Sequence, residues 1–229
     1  MKSIAHRLIM FYGVSPGAGK TTLSDWLRLE LAQQNIPTLW IEEHDVSHLA
    51  IFKEVVQAFT HGTDDYVQPI LQAAAALVQQ QTDKPELVIT DSSFPCYTWL
   101  FSAGVSTEAI ADFSQQLAAI LAPLNPLVIW LDGDVATLLQ RAVAQRGTEW
   151  VDDMIGMLNA YNYVPIRPVV GIEEITAFFQ AVRRLQTELF SAGSYQLLKL
   201  DVTNTPLEVL QAQIMQYLSF QPEEDHRPT

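Results

Sequence analysis

The chain of 229 residues carries 13 Lys and Arg against 26 Asp and Glu, a formal charge of −13. Hydrophobic residues make up 48% and charged residues 17%, which supports a buried core and excludes global disorder. A charge this negative repels phosphate backbones and excludes a general nucleic-acid binder.

Leu8–Gly13 is a short apolar run that ends at glycine and reads as a buried strand. A Gly/Pro-rich turn follows, Gly13 to Gly19. Leu23, Trp26, Leu27 and Leu31 then recur at helical spacing, and Asn35 and Pro37 end that helix. Thr38–Ile41 reads as the second strand. Residues 48–60 and 65–81 read as helices, the latter with an Ala-rich centre at Ala73–Ala76. Leu87–Thr90 is the third strand and ends at Asp91. A helix over 106–121 is stopped by Pro123 and Pro126. Leu127–Leu131 is the fourth strand and ends at Asp132. Val135, Leu138, Leu139, Ala142 and Val143 mark the next helix, closed by Gly147. Helices over 149–161 and 172–190 come next, then a fifth strand, Tyr195–Leu200, and a final helix over 206–219.

Strands alternate with helices throughout, and the strands are continuously apolar. Both features predict an α/β fold with a parallel sheet covered on both faces. No repeat or linker interrupts the pattern, so residues 1–220 read as one domain and 221–229 as a flexible tail. Ligands of such sheets sit beyond the carboxyl ends of the strands. Those ends carry Gly13, Glu42, Glu43, Asp45, Asp91 and Asp132, and acids there point to a metal–nucleotide site.

The single cysteine, Cys96, cannot form an internal disulfide, which predicts a reducing compartment. The apolar run Leu8–Tyr12 is too short for a signal peptide, and no stretch approaches the roughly 18 apolar residues of a membrane span. A cytoplasmic protein is expected.

The strongest motif is Val14-Ser15-Pro16-Gly17-Ala18-Gly19-Lys20-Thr21. It fits G-x-x-x-x-G-K-[ST] at every fixed position except the first, where Val14 stands and Gly13 precedes it. The context, strand then turn then helix, is the one a phosphate-binding loop needs. Glycines let consecutive backbone N–H groups form an anion nest, and the helix N-terminus adds positive potential. Ser15 to Thr22 would hold the nucleotide. Lys20 would reach its β- and γ-phosphates, and the Thr21 hydroxyl would hold Mg²⁺. An ordinary Gly-rich turn needs neither Lys nor Thr.

With GVSPGAGKTT in this context, the chain resembles the phosphate-loop nucleoside and nucleotide kinases, the thymidylate-kinase-like branch in particular. The resemblance spans roughly residues 8–205 in element order. It implies a three-layer α/β/α fold, a five-stranded parallel sheet in the order 2-3-1-4-5, and a lid over about 141–165. It also implies ATP as donor and Mg²⁺ as cofactor. In such kinases an acid after the second strand handles the acceptor hydroxyl. WIEEHD offers Glu42, Glu43 and Asp45 for that role, Glu43 foremost. Asp91-Ser92-Ser93 resembles the Asp-Arg or Glu-Arg-Ser motif of these kinases, with Ser92 in place of the arginine. Asp91 would serve the Mg²⁺ shell or cap a helix.

The missing arginine matters, because a monophosphate acceptor needs fixed cations. A neutral acceptor hydroxyl is expected instead. Arg141 and Arg146 resemble the arginines of a kinase lid helix, which clamp the transferring group. Five residues apart, they do not share a helix face, so a ligand must pass between them or the helix must open near Gly147. Arg167 is a further isolated cation. Asp201-Val-Thr-Asn-Thr-Pro206 matches the loop that cradles adenine, and is also a good turn and cap.

His44 and His48 are four apart but lack a third ligand, which favours a surface role over zinc. Trp40, Phe94, Tyr97, Trp99, Tyr161 and Tyr163 are candidates to line the acceptor pocket or to pack the core. Cys96 has no activating base nearby in sequence. These features together predict an ATP- and Mg²⁺-dependent kinase acting on a hydroxyl of a largely uncharged small molecule such as a nucleoside. The alternatives are a nucleoside monophosphate kinase and a non-enzymatic nucleotide switch. The absence of N-K-x-D disfavours a GTPase. The expected partner is a small-molecule substrate, with no nucleic acid and no membrane.

Overall fold

Every residue of strand β1 (Leu8–Gly13) is buried, as is every residue of β4 (Pro126–Asp132). Strands buried on alternate sides must be covered on both faces, and these two form the middle of the sheet. The computed structural model describes residues 4–61, 66–92, 94, 96–160 and 168–219. Ser93, Tyr161, Tyr163, Arg167 and the tail from 221 lie outside the described residues. With β2 (Thr38–Ile41), β3 (Leu87–Asp91) and β5 (Gln196–Asp201), the strands pair in parallel in the order β2-β3-β1-β4-β5. That is the sheet and strand order expected from the sequence.

The register sets the site. Leu8 lies opposite Val88 of β3 and Pro126 of β4, and Phe11 lies opposite Asp91. Asp91 therefore ends its strand beside the root of the loop that leaves β1 at Gly13. Pro126 opens β4, where a missing N–H is tolerated. The edge strand β5 exposes Gln196, Lys199 and Asp201, the polar edge that discourages pairing with another chain.

Helices α1 (Lys20–Gln33), α2 (Lys53–His61), α3 (Val67–Gln81), α4 (Tyr97–Ser102) and α5 (Thr107–Leu121) connect the first four strands. Helices α6 (Val135–Arg146), α7 (Glu149–Ala160), α8 (Ile172–Ser191) and α9 (Leu207–Ser219) complete the chain. Local chemistry sets several of the ends. Ser106 accepts from the Ala109 N–H and Asp134 from the Thr137 N–H, capping α5 and α6. Arg7 donates to the carbonyls of Gln81, Thr82 and Lys84, tying down the end of α3.

Two segments differ from the sequence expectation. Residues 48–60 were expected as one helix, but the chain makes 3₁₀ turns at Glu43–Ser47 and Ala50–Phe52 before α2 begins at Lys53. The cause is local: Glu42 and Asp45 close a capping box that tightens the first turn, and Leu49 is extended. Helix α4 has no sequence signal. Its six residues, YTWLFS, are mostly aromatic or β-branched, and its N-cap, Cys96, is left-handed at φ 62°. Burial of Tyr97 and Leu100 holds it.

Candidate functional site

The loop from Gly13 to Thr21 joins β1 to α1 and needs glycine at three places for different reasons. Gly17 and Gly19 are left-handed, at φ +82° and +84°. A Cβ on Gly17 would also sit 2.1 Å from the Leu138 carbonyl oxygen, because the loop packs against α6 there. Gly13 is not left-handed. A Cβ on it would lie 2.8 Å from the Ala18 Cβ and 3.1 Å from the Lys20 Cγ, because the loop folds back over its own root. Val14, at the first position of the motif, is wholly buried and donates its N–H to the Leu131 carbonyl at 3.2 Å. It continues the sheet, and the valine at this position does not open the loop.

Helix α1 starts at Lys20 with Gly19 as N-cap, no side-chain cap and no acid in its first turn. Its orphan N–H groups and positive end make a site for an anion. The Thr21 hydroxyl donates to the carboxylate of Asp91, which is buried. Ser92 donates to the other Asp91 oxygen at 3.2 Å. A hydroxyl and a carboxylate side by side at the edge of an anion nest are the oxygen donors Mg²⁺ takes, so these residues fit the metal. Thr22 is exposed on the next position of α1.

Beyond the loop lies a cavity of about 490 Å³. Ser15, Pro16, Lys20, Glu43 and Arg146 all line it. Its walls are apolar: Val55 and Val56 from α2, Met154 and Met157 from α7, Phe178 and Phe179 from α8. Trp99 of α4 and Cys96 also line it. Burial pushes the Cys96 thiol far up, and the charge of Glu43 adds to that shift, so the sulfur stays protonated and is no nucleophile. Ser92 and Cys96 are both left-handed non-glycine residues, a strained pair bracketing the turn after β3.

Of the remaining candidates, His44, His48 and Arg146 line the cavity and the others lie elsewhere. Asp45 does not line the cavity; its carboxylate accepts from the Glu42 N–H at 3.0 Å and closes the capping box. His44 stands between Glu42 at 3.1 Å and Asp45 at 3.4 Å. His48 lines the cavity. Among the described residues no cluster of three or more His, Cys, Asp or Glu could hold a metal ion. Arg141 donates to the carbonyls of Val202 at 2.7 Å and Thr203 at 2.5 Å, so it holds the loop after β5. Arg146 lines the cavity from the end of the same helix, with its guanidinium 5.7 Å from the Trp150 ring. The two arginines point to different places, as their spacing requires.

Asp132 is engaged in structure. Arg183 donates to it at 2.6 and 3.1 Å, and Lys199 lies 2.9 Å away. Trp40 donates to Ser24 at 3.2 Å and lies under Arg28, away from the cavity. Phe94 and Tyr97 are core residues, packed on Phe52 and Phe113. Residues not singled out from sequence are Tyr12, Gln186 and the walls from α7 and α8. Tyr12 accepts from the Thr98 N–H at 2.8 Å and anchors α4 to β1. Gln186, fully buried, accepts from the Trp130 indole at 3.0 Å and donates to the Gly13 carbonyl at 3.5 Å. Nothing in the periodicity of α8 separates such positions from ordinary core, although a buried Gln mid-helix is a usable signal.

No family model matches the sequence, and no curated protein matches it. Among solved structures the chain is similar to a deoxyadenosine kinase from M. mycoides with bound dATP. The TM-score is 0.55 at 13% identity, over 92% of this chain and 98% of that one. At that identity the likeness is one of fold alone: the five-stranded parallel sheet flanked by helices.

Proposed function

We propose that this protein is an ATP- and Mg²⁺-dependent kinase that transfers the γ-phosphoryl group to a hydroxyl of a small, largely uncharged molecule. The observation that carries this reading is that Lys20, Glu43 and Arg146 line one cavity beside the uncapped start of α1. The fold likeness to a kinase supports it. The loop amides from Ser15 to Thr22 and Lys20 hold the phosphates. Thr21 and Asp91 would hold Mg²⁺, which would supply positive charge to offset that of the phosphates. Glu43 accepts the acceptor's hydroxyl proton as that oxygen bonds to the γ-phosphorus. The bond from phosphorus to the β–γ bridging oxygen breaks, and ADP leaves with that electron pair. Arg146 faces the charge on the transferring group.

Arg141 serves indirectly, by holding the 202–203 backbone of the loop that would flank adenine. Residues 141–165 are the lid in this reading, of which 161–165 lie outside the described residues; residues 1–220 are one domain, and the single reduced cysteine suits the cytoplasm. No helix of the described residues is long and apolar enough to cross a membrane.

The thymidylate-kinase-like branch remains part of this reading, supported by the order of elements. A monophosphate acceptor is disfavoured, because Lys20 and Arg146 are the only Lys or Arg among the described lining residues and both serve the donor. The test is thermal unfolding with ATP or ADP, with and without Mg²⁺, on the native protein and Lys20→Ala. A nucleotide at 100 times its Kd stabilises by about 2.7 kcal/mol. The native protein is expected to show that gain and Lys20→Ala to lose it. Equal behaviour of the two proteins overturns the reading. Nucleotide binding with slow hydrolysis and no transfer to any acceptor would favour the switch.

A further inference from the structure

The acceptor end of the cavity holds an unusual balance of groups. A ligand that carries a nucleobase is recognised by side chains that both donate and accept, chiefly Asn, Gln, Asp or Arg. Among the described lining residues there is no Asn, Gln or Asp; His44 is held by Glu42 at 3.1 Å and Asp45 at 3.4 Å, which leaves His48 beside the donor-side cations Lys20 and Arg146. Most of the lining hydroxyls are already engaged within the protein. The Tyr12 hydroxyl is held by Thr98. Ser47 donates to the His44 carbonyl at 2.8 Å, and Ser102 to the Trp99 carbonyl at 2.8 Å. Ser15 donates to the Pro16 carbonyl and Ser92 to Asp91.

The walls, by contrast, are valine, methionine and phenylalanine drawn from three helices. Methionine is unbranched and adapts to irregular apolar shapes. Met157 is 42% exposed and lines the cavity, a large apolar side chain left without full cover. A polar, many-hydroxyl acceptor would lose its water here and find few partners, which costs it affinity. An apolar molecule with one hydroxyl loses little, since only that hydroxyl needs a partner, and Glu43 is the exposed carboxylate on the cavity wall.

We infer that the acceptor is an apolar alcohol, aliphatic or aromatic, whose hydroxyl meets Glu43 while its hydrocarbon part lies between α2, α7 and α8. This rests on the kinase reading above and narrows it. The product is an alkyl or aryl phosphate and ADP, with the alcohol proton passing to Glu43. Adaptable methionine walls make the site tolerant of hydrocarbon shape and intolerant of polar bulk.

The test uses the full chain and calorimetric titration with linear primary alcohols from butanol to octanol, set against thymidine and deoxyadenosine. Affinity is expected to rise about fourfold for each methylene added, the equilibrium ratio that burial of one CH₂ corresponds to. The nucleosides are expected to bind more weakly than octanol. Met157→Lys, at an exposed position that tolerates a long charged side chain, is expected to flatten the alcohol series while leaving the melting temperature and the ATP–Mg²⁺ shift unchanged. Radiolabelled ATP should then label octanol in the native protein.

A flat alcohol series, or nucleosides that bind more tightly than octanol, overturns the inference. If ATP–Mg²⁺ still distinguishes native protein from Lys20→Ala, the kinase reading survives that result. If it does not, the kinase reading falls, and the acceptor role of the cavity falls with it.

Discussion

Glu43 and Asp45 are two residues apart and carry the same charge, yet they stand in different environments. Glu43 lines the cavity, whereas Asp45 closes a capping box with Glu42. Glu43→Gln is expected to lower kcat by about 10²- to 10⁴-fold, the range for loss of a general base, with the melting temperature unchanged. Asp45→Asn is expected to act mainly on stability, by about 1 kcal/mol; denaturant unfolding and steady-state kinetics on both variants separate the two roles. Sequence reasoning put Glu43 foremost among the three acids but did not assign Glu42 and Asp45 to a cap, because a capping contact depends on the turn that forms around it. The glycines allow a similar contrast. Gly19→Ala meets open space and bears only the left-handed backbone, a cost of about 1–2 kcal/mol. Gly17→Ala adds a clash with the Leu138 carbonyl and is expected to unfold the loop. Melting temperatures rank the two, and equal losses would show that α6 yields easily.

At the scale of elements, the helix α6 links two parts of the molecule. Its arginine at 141 binds the carbonyls after β5, and its arginine at 146 lines the cavity. Arg141→Ala is expected to lower stability by about 1 kcal/mol, since the bonds it loses are charge-assisted yet partly exposed. Because Arg141 does not line the cavity, affinity for the acceptor should stay the same while affinity for ATP falls. Calorimetry with each ligand checks this. The strands and their order were legible in sequence because each strand is a continuous apolar run with a sharp end. The glycine-rich turn between β1 and α1 was legible because glycine, lysine and threonine at that spacing follow a strand and open a helix. Helix α4 was not legible, since six residues of which four are aromatic or β-branched become helical only through burial of Tyr97 and Leu100. Nor were the apolar walls, since Phe178 and Phe179 on α8 obey the same periodicity as core residues that face the sheet. Asp132 ends its strand as Asp91 does, but its partners, Arg183 and Lys199, come from elements 51 and 67 residues further along. Only the fold brings them together.

Across the whole molecule, acid sensitivity divides between the two ends of the sheet. Burial lowers the pKa of His6, against the opposing effect of its Nδ1–H donating to the Asn125 carbonyl. Burial alone would raise Asp132, but the hydrogen bonds from Arg183 and Lys199 outweigh it and hold the carboxyl below its usual range. Both groups bind protons more weakly folded than unfolded, so both contribute stability that is lost as pH falls. The His6 contribution declines below about pH 6.5 and the Asp132 contribution below about pH 4. Denaturant unfolding at stepped pH is expected to show two acid limbs, the upper flattened by His6→Gln and the lower by Asp132→Asn. Helix α8 reaches both halves of the site. It presents Phe178 and Phe179 to the cavity, and one turn and more beyond them it holds Asp132 through Arg183 and the Gly13 carbonyl through Gln186. One helix thus contacts both the cavity wall and the root of the loop, and any coupling between ligands at the two places is reciprocal. By whatever factor filling the cavity changes affinity at the loop, filling the loop changes affinity at the cavity, whichever is bound first.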